Sequence, residues 1–169
     1  MRKDQRIVLI YPDNTVGLLV PALAMFDATS DTRQLLASRG ITFSSDDEVW
    51  AWIIKKDVEP LCVQHNVHYK FIDKTELPAD RDYFFAAYEW KDNRIQINLE
   101  KAYEVKRKQF RVLRTSKLEA LDKEVMRALE DGQDITVIRD KKQALRDVTL
   151  VEMPTDILEL KEFIPEILR

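Results

Sequence analysis

The first apolar run, Ile7-Val8-Leu9-Ile10-Tyr11, is β-branched and aromatic. Pro12-Asp13-Asn14-Thr15 then supplies turn chemistry before a second run, Val16-Gly17-Leu18-Leu19-Val20, and together these predict an opening β-hairpin closed by Pro21. Asp31 to Ser38 carries Leu35 and Leu36 on one helical face, with Gly40 placed to stop the helix. Ser44 or Ser45 ahead of Asp46, Asp47 and Glu48 marks a second helix start: side-chain oxygens meet free N–H groups and carboxylates offset the positive end of the dipole. That helix is expected to reach about Lys56. It is apolar nearly all round through Val49, Trp50, Trp52, Ile53 and Ile54, and so belongs in a core. Beyond Pro60, alternation predicts a strand over 67–72, and Glu76-Leu77-Pro78-Ala79-Asp80 a turn. Residues 83–90 are the densest aromatic stretch and read as a short helix passing into extended chain; Asp92-Asn93 separates them from the alternating 94–98.

From Asn98, a good N-cap, helix formers continue without Gly or Pro until Gly132, which predicts one helix over about 98–131 and roughly 50 Å long. Its apolar positions, Tyr103, Phe110, Leu113, Leu118, Leu121, Val125 and Leu129, make a narrow stripe interrupted by Lys106, Arg114 and Lys117. Asp134 is a candidate cap for a returning helix over about 135–147, and Thr155 for a terminal helix over about 155–164 that Pro165 stops. The pattern is therefore α+β: a head over 1–97 of mixed strands and helices, then a helical arm over 98–169 containing a hairpin.

Composition narrows the picture. The charged share of 34% exceeds the roughly 25% usual in globular domains, as a protruding helix would produce. Three glycines leave little material for a phosphate-binding loop. The single Cys62 excludes an internal disulfide framework and agrees with a reducing compartment. The N-terminal apolar run is too short for a signal-peptide core, and no stretch approaches the roughly 20 apolar residues that span a membrane.

The candidate chemistry is sparse. Cys62, His65 and His68 are zinc-type ligands three apart, but four ligands are normally needed and no other Cys or His exists, so no metal site is expected. The acidic trio Asp46-Asp47-Glu48 and the run Asp80-Arg81-Asp82 are accounted for by capping and turn formation. No catalytic residue and no cofactor is expected. Lys106, Arg107, Lys108, Arg111 and Arg114 form a basic half-helix of the kind that lies along phosphates, yet the net charge of −3 and an acidic distal half (Glu119, Asp122, Glu124, Glu130, Asp131) point to protein partners or self-association before nucleic acid. Most of the aromatics are expected in the core; Tyr83, Phe84 and Tyr88 are anchors for a partner if their segment has an open face.

Lys55-Lys56-Asp57-Val58-Glu59-Pro60, His68-Tyr69-Lys70-Phe71-Ile72-Asp73, Glu76-Leu77-Pro78-Ala79-Asp80-Arg81 and Ala87-Tyr88-Glu89-Trp90 resemble small proteins from the tail-gene regions of tailed bacteriophages. Arg107 to Arg114, Leu118, Leu121-Asp122, Met126, Ala128-Leu129-Glu130 and Lys142 to Val148 are similar to the helical tail of such proteins, the last run to tail-fibre assembly proteins. The resemblance covers about residues 50–150 and implies a setting: a non-enzymatic virion component at the tail or its fibres, made in the host bacterial cytoplasm, with other phage structural proteins as partners and no membrane. In that reading Phe110, Leu113, Leu118, Leu121, Val125 and Leu129 bind the returning helix or another copy. The alternatives are a tail-fibre assembly chaperone released before maturation, and a nucleic-acid-binding module using the basic half-helix.

Overall fold

The computed structural model describes residues 5–78 and 83–169. The chain divides into two compact units: Met1–Ala79 with Tyr88–Gln96, and Asp80–Ala87 with Ile97–Arg169.

In the N-terminal unit, β1 (Gln5–Ile10) and β2 (Val16–Leu19) form the hairpin, and β3 (His68–Asp73) pairs antiparallel with the other edge of β1, giving the order β2-β1-β3. Ile7 faces Leu19 on one side and Phe71 on the other. A central strand is covered on both faces, and for that reason β1 reads as a continuous apolar run: neighbours Ile7 and Val8 are both fully buried. Ile7 and Leu9 pack with Met25, Phe26, Val49, Trp50 and Ile53. On the opposite face Lys70, the cross-strand neighbour of Val8, donates to Asn93 Oδ1 and lies 5.1 Å from the centre of the Trp90 ring. Those residues belong to a hairpin of β4 (Tyr88–Lys91) and β5 (Arg94–Ile97), whose Asp92-Asn93 turn has both residues at positive φ, as a type I′ turn requires.

Two helices of this unit begin at serines, the second at Ser45, one of its two expected starts. Ser30 Oγ accepts from Arg33 N at α1 (Asp31–Ser38), which Gly40 follows at φ +78°, and Ser45 Oγ accepts from Glu48 N at α2 (Asp46–Ile53). The end of the second helix departs from expectation. The chain stays helical well past Lys56, through a wide π turn over Ile54–Val58 into α3 (Glu59–His65), and leaves only at Asn66 with φ 52°. In the wide turn Glu59 N donates to Ile54 O, five residues back, and Pro60, which has no N–H to give, then falls in the first turn of α3, where none is needed.

In the helical unit α4 (Leu99–Glu130) is 32 residues long, about 48 Å, and is capped by Asn98 Oδ1 accepting from Lys101 N. It ends in a Schellman motif: Gln133 N donates to Ala128 O, Gly132 N donates to Leu129 O, and Gly132 takes φ +65°. The returning helix α5 (Thr136–Asp147) starts without a side-chain cap. Asp134, expected as its cap, instead accepts from both Thr136 N and Thr136 Oγ1 in a local turn. The last helix, α6 (Ile157–Glu162), is capped by Asp156 and not by Thr155, because Asp156 Oδ1 reaches the N–H groups of both Leu158 and Glu159. Ala102, Phe110, Leu145, Val148, Met153, Leu160 and Leu168 fill the core, together with Phe84 and Ala87. Tyr83 and Phe84, expected in the head, thus lie in the helical unit.

Candidate functional site

The inner face of α4 is set by Ala102, Lys106 and Phe110, four residues apart and each fully buried. Lys106 therefore belongs to no surface basic patch, contrary to expectation. Its Nζ donates to the Lys161 carbonyl (3.0 Å) and to the Tyr83 hydroxyl (3.1 Å), which in turn donates to Gln109 Oε1 (2.6 Å). The ammonium also lies 5.4 Å from the Tyr83 ring centre and 5.6 Å from that of Phe110. Burial pushes the Lys106 amine below the usual lysine range, with Glu162 pulling partly the other way, and burial pushes the Tyr83 hydroxyl up. An amine of lowered pKa is a nucleophile where a substrate can reach it; this one is closed in and serves as a clamp.

Two further interruptions of the stripe behave alike. Arg114 Nη1 donates to Arg146 O (2.6 Å) and Leu145 O (3.4 Å) in the last turn of α5. Lys117 Nζ donates to Ile167 O (3.1 Å) and Arg169 O (2.6 Å) around a closing 3-10 turn, Glu166–Leu168. Lys161 O, the acceptor for Lys106, sits in the last turn of α6. Each of the three cations thus meets carbonyls at the C-terminal end of a helical segment, where acceptors lack internal donors and the dipole is negative. The breaks in the apolar stripe are members of it, and they fasten the returning chain to α4.

The remaining expected residues divide clearly. Phe110 is buried at 6.1 Å from Phe163, and Leu113, Leu118 and Leu121 pack partly buried against the same core, with Val125 half-buried. Leu129 does not pack on the returning helix: it is 56% exposed, and Ala128 takes the inward position. Phe84 and Tyr88 are core residues of different units and cannot anchor a partner; Tyr83 is half-buried beside Phe84, and Phe85 is the exposed aromatic of the segment. Of the basic set, Arg107 pairs with Glu104 at 2.6 Å, while Lys108 and Arg111 are exposed.

Cys62 and His65 lie on α3 and His68 opens β3; among the described residues no three His, Cys, Asp or Glu side chains converge as metal ligands. Asp46, Asp47 and Glu48 occupy the first turn of α2, with Glu48 Oε2 accepting from Ser44 N. Asp80-Arg81-Asp82 and the end of the expected 76–80 turn lie outside the described residues. Two open grooves were not foreseen. One of about 400 Å³ is lined by Lys117, Ala120, Leu121, Lys141, Leu145 and Ile167 in the helical unit. The other, of about 390 Å³, lies in the N-terminal unit beside Val20, Leu35, Trp52 and Lys56.

Compared with protein-family models, with curated proteins and with solved structures, the chain finds no match in any of the three.

Proposed function

We propose that this protein is a non-enzymatic component of a tailed-bacteriophage particle, associated with the tail or its fibres and acting through protein–protein packing. The setting comes from the resemblance of residues 50–150 to small tail-region proteins. The observation that carries the packing reading is the apolar surface of the helical unit. Met126, Leu129 and Val137, each more than half exposed, all lie within two turns of the loop joining α4 to α5, and Val112, Leu150 and Leu158 are likewise open. Large apolar side chains on a helical unit clamped from within suit a surface that a neighbouring subunit covers. The nucleic-acid alternative loses force, since Lys106, Arg114 and Lys117 spend their donors on the chain's own carbonyls.

Quantitative mass spectrometry of purified particles against infected lysate tests this. A fixed ratio to a known structural protein is the expected result. Abundance in lysate with absence from particles would replace the virion role by that of an assembly chaperone.

A further inference from the structure

The helix α1 has little packing to hold it in place. None of its 8 residues is buried: Thr32, Arg33 and Leu36 are half-buried, the rest are exposed, and Leu35 keeps 54% exposure. The helix α2, of the same length, buries Val49, Trp50 and Ile53. The helix α3 also buries no residue, but it continues out of α2 through the wide turn that ends at fully buried Val58, and so it is carried by α2. By contrast α1 has non-helical chain at both ends. The turn Asp27–Ser30 precedes it, closed by Ser30 N donating to Asp27 O, and Gly40 at φ +78° follows it.

Its fastening is one side chain. Arg33 Nη1 donates to Met25 O (3.0 Å), Nη2 donates to Phe43 O (2.8 Å), and the guanidinium carbon lies 4.8 Å from the centre of the Phe43 ring. Both acceptors sit on anchored chain. Met25 is buried, as is its neighbour Phe26, whose ring lies 5.3 Å from that of Trp50, and Phe43 meets the Trp52 ring edge-on at 5.8 Å. Among the described residues these two are the only side-chain hydrogen bonds that leave α1 for chain beyond residues 29–38. A helix held by two such bonds and by one half-buried leucine opens at far lower cost than one held by a packed core.

This helix also walls a groove. Thr32, Leu35 and Leu36 line the groove of about 390 Å³ in the N-terminal unit, whose lining includes Leu19, Met25, Trp52 and Ile53 from the core of that unit. We propose that α1 is a hinged flap over this groove, with Arg33 as its latch. When the latch is released, α1 swings about the Asp27–Ser30 turn and Gly40, and the core-side wall of the groove opens to solvent while the sheet and α2 stay folded. The device belongs to the N-terminal unit alone and does not depend on the setting proposed above.

Hydrogen exchange of the full-length chain, resolved by residue and corrected for intrinsic rates, tests it. The amides of Leu35 to Ser38, bonded within α1, are expected to exchange about a hundredfold faster than those of Trp50 to Ile53 in α2. Arg33→Met keeps an apolar stem and removes both donors. It should speed the α1 amides by about a further tenfold and leave those of α2 and β1 within about twofold of wild type. Arg33→Lys, whose ammonium has no planar fork to span two carbonyls, should fall between the two. The dye ANS, which binds exposed apolar surface, should fluoresce more strongly with Arg33→Met than with wild type. Equal protection of α1 and α2 in the wild type overturns the flap. Acceleration of α2 and β1 in step with α1 in Arg33→Met overturns the latch, because Arg33 would then support the whole unit. Unchanged ANS fluorescence in a variant whose α1 amides do accelerate overturns the uncovering of the groove.

Discussion

Phe110 is the residue on which the helical core turns. It is fully buried, its ring lies 6.1 Å from Phe163, and the Lys106 ammonium stands 5.6 Å from its centre. Phe110→Ala removes a buried ring and leaves a cavity whose walls include a helix held by three clamps and free to collapse only in part, so a loss of about 3–5 kcal/mol is expected. A unit of about 80 residues is stabilised by roughly 4–12 kcal/mol in all, so a large share of its stability is at stake. The unfolding temperature of the helical unit should fall by at least about 12 °C. The assay can separate the units because all three tryptophans, Trp50, Trp52 and Trp90, lie in the N-terminal unit, while α4, α5 and α6 supply most of the helix. Melting followed at 222 nm should shift strongly, and tryptophan emission should keep its wild-type midpoint. A fall of less than about 5 °C at 222 nm would refute the central packing of Phe110. A tryptophan transition that moved in step would refute the assignment of the effect to one unit.

Substitutions at two further positions test the clamps and the turn. Lys106 has its folded pKa below the reference 10.5, so the folded state sheds the proton first and stability should rise as pH climbs through the folded pKa towards 10.5; Tyr83, raised above 10.0, opposes this only above pH 10. Lys106→Met keeps the stem and removes the titration, so in urea unfolding from pH 7 to 10 the free-energy difference between wild type and variant should drift in favour of wild type; a flat difference would mean that Lys106 titrates normally. Gly132→Ala meets no atom within 4 Å, which leaves only the cost of φ +65°, and should lower the helical midpoint by an amount worth about 1 kcal/mol, with Gly132→Asn costing less.

What the sequence determined by itself is local. Asn98 and Ser45 announce helix starts because an oxygen one residue before the first turn can reach free N–H groups whatever lies elsewhere. Gly40 and Gly132 announce helix ends because positive φ is cheap only there, and the β1 run announces a strand of the opening hairpin. Near-equivalent choices were harder to read: Asp156 caps α6 where Thr155 was the candidate, and the π turn keeps the chain helical beyond Lys56, where the helix was expected to end. The clamps could not be read at all. Lys106, Arg114 and Lys117 look like solvated charge on a helix, and only their position within the apolar stripe hinted otherwise. Their acceptors lie 55, 32 and 52 residues away along the chain, at the ends of segments whose docking decides whether each cation faces water or a carbonyl. The same docking turned Leu129 outward and Ala128 inward at the end of α4. A side chain's residue type states what it can bond; only the packed neighbours, assembled from distant parts of the chain, decide what it does bond.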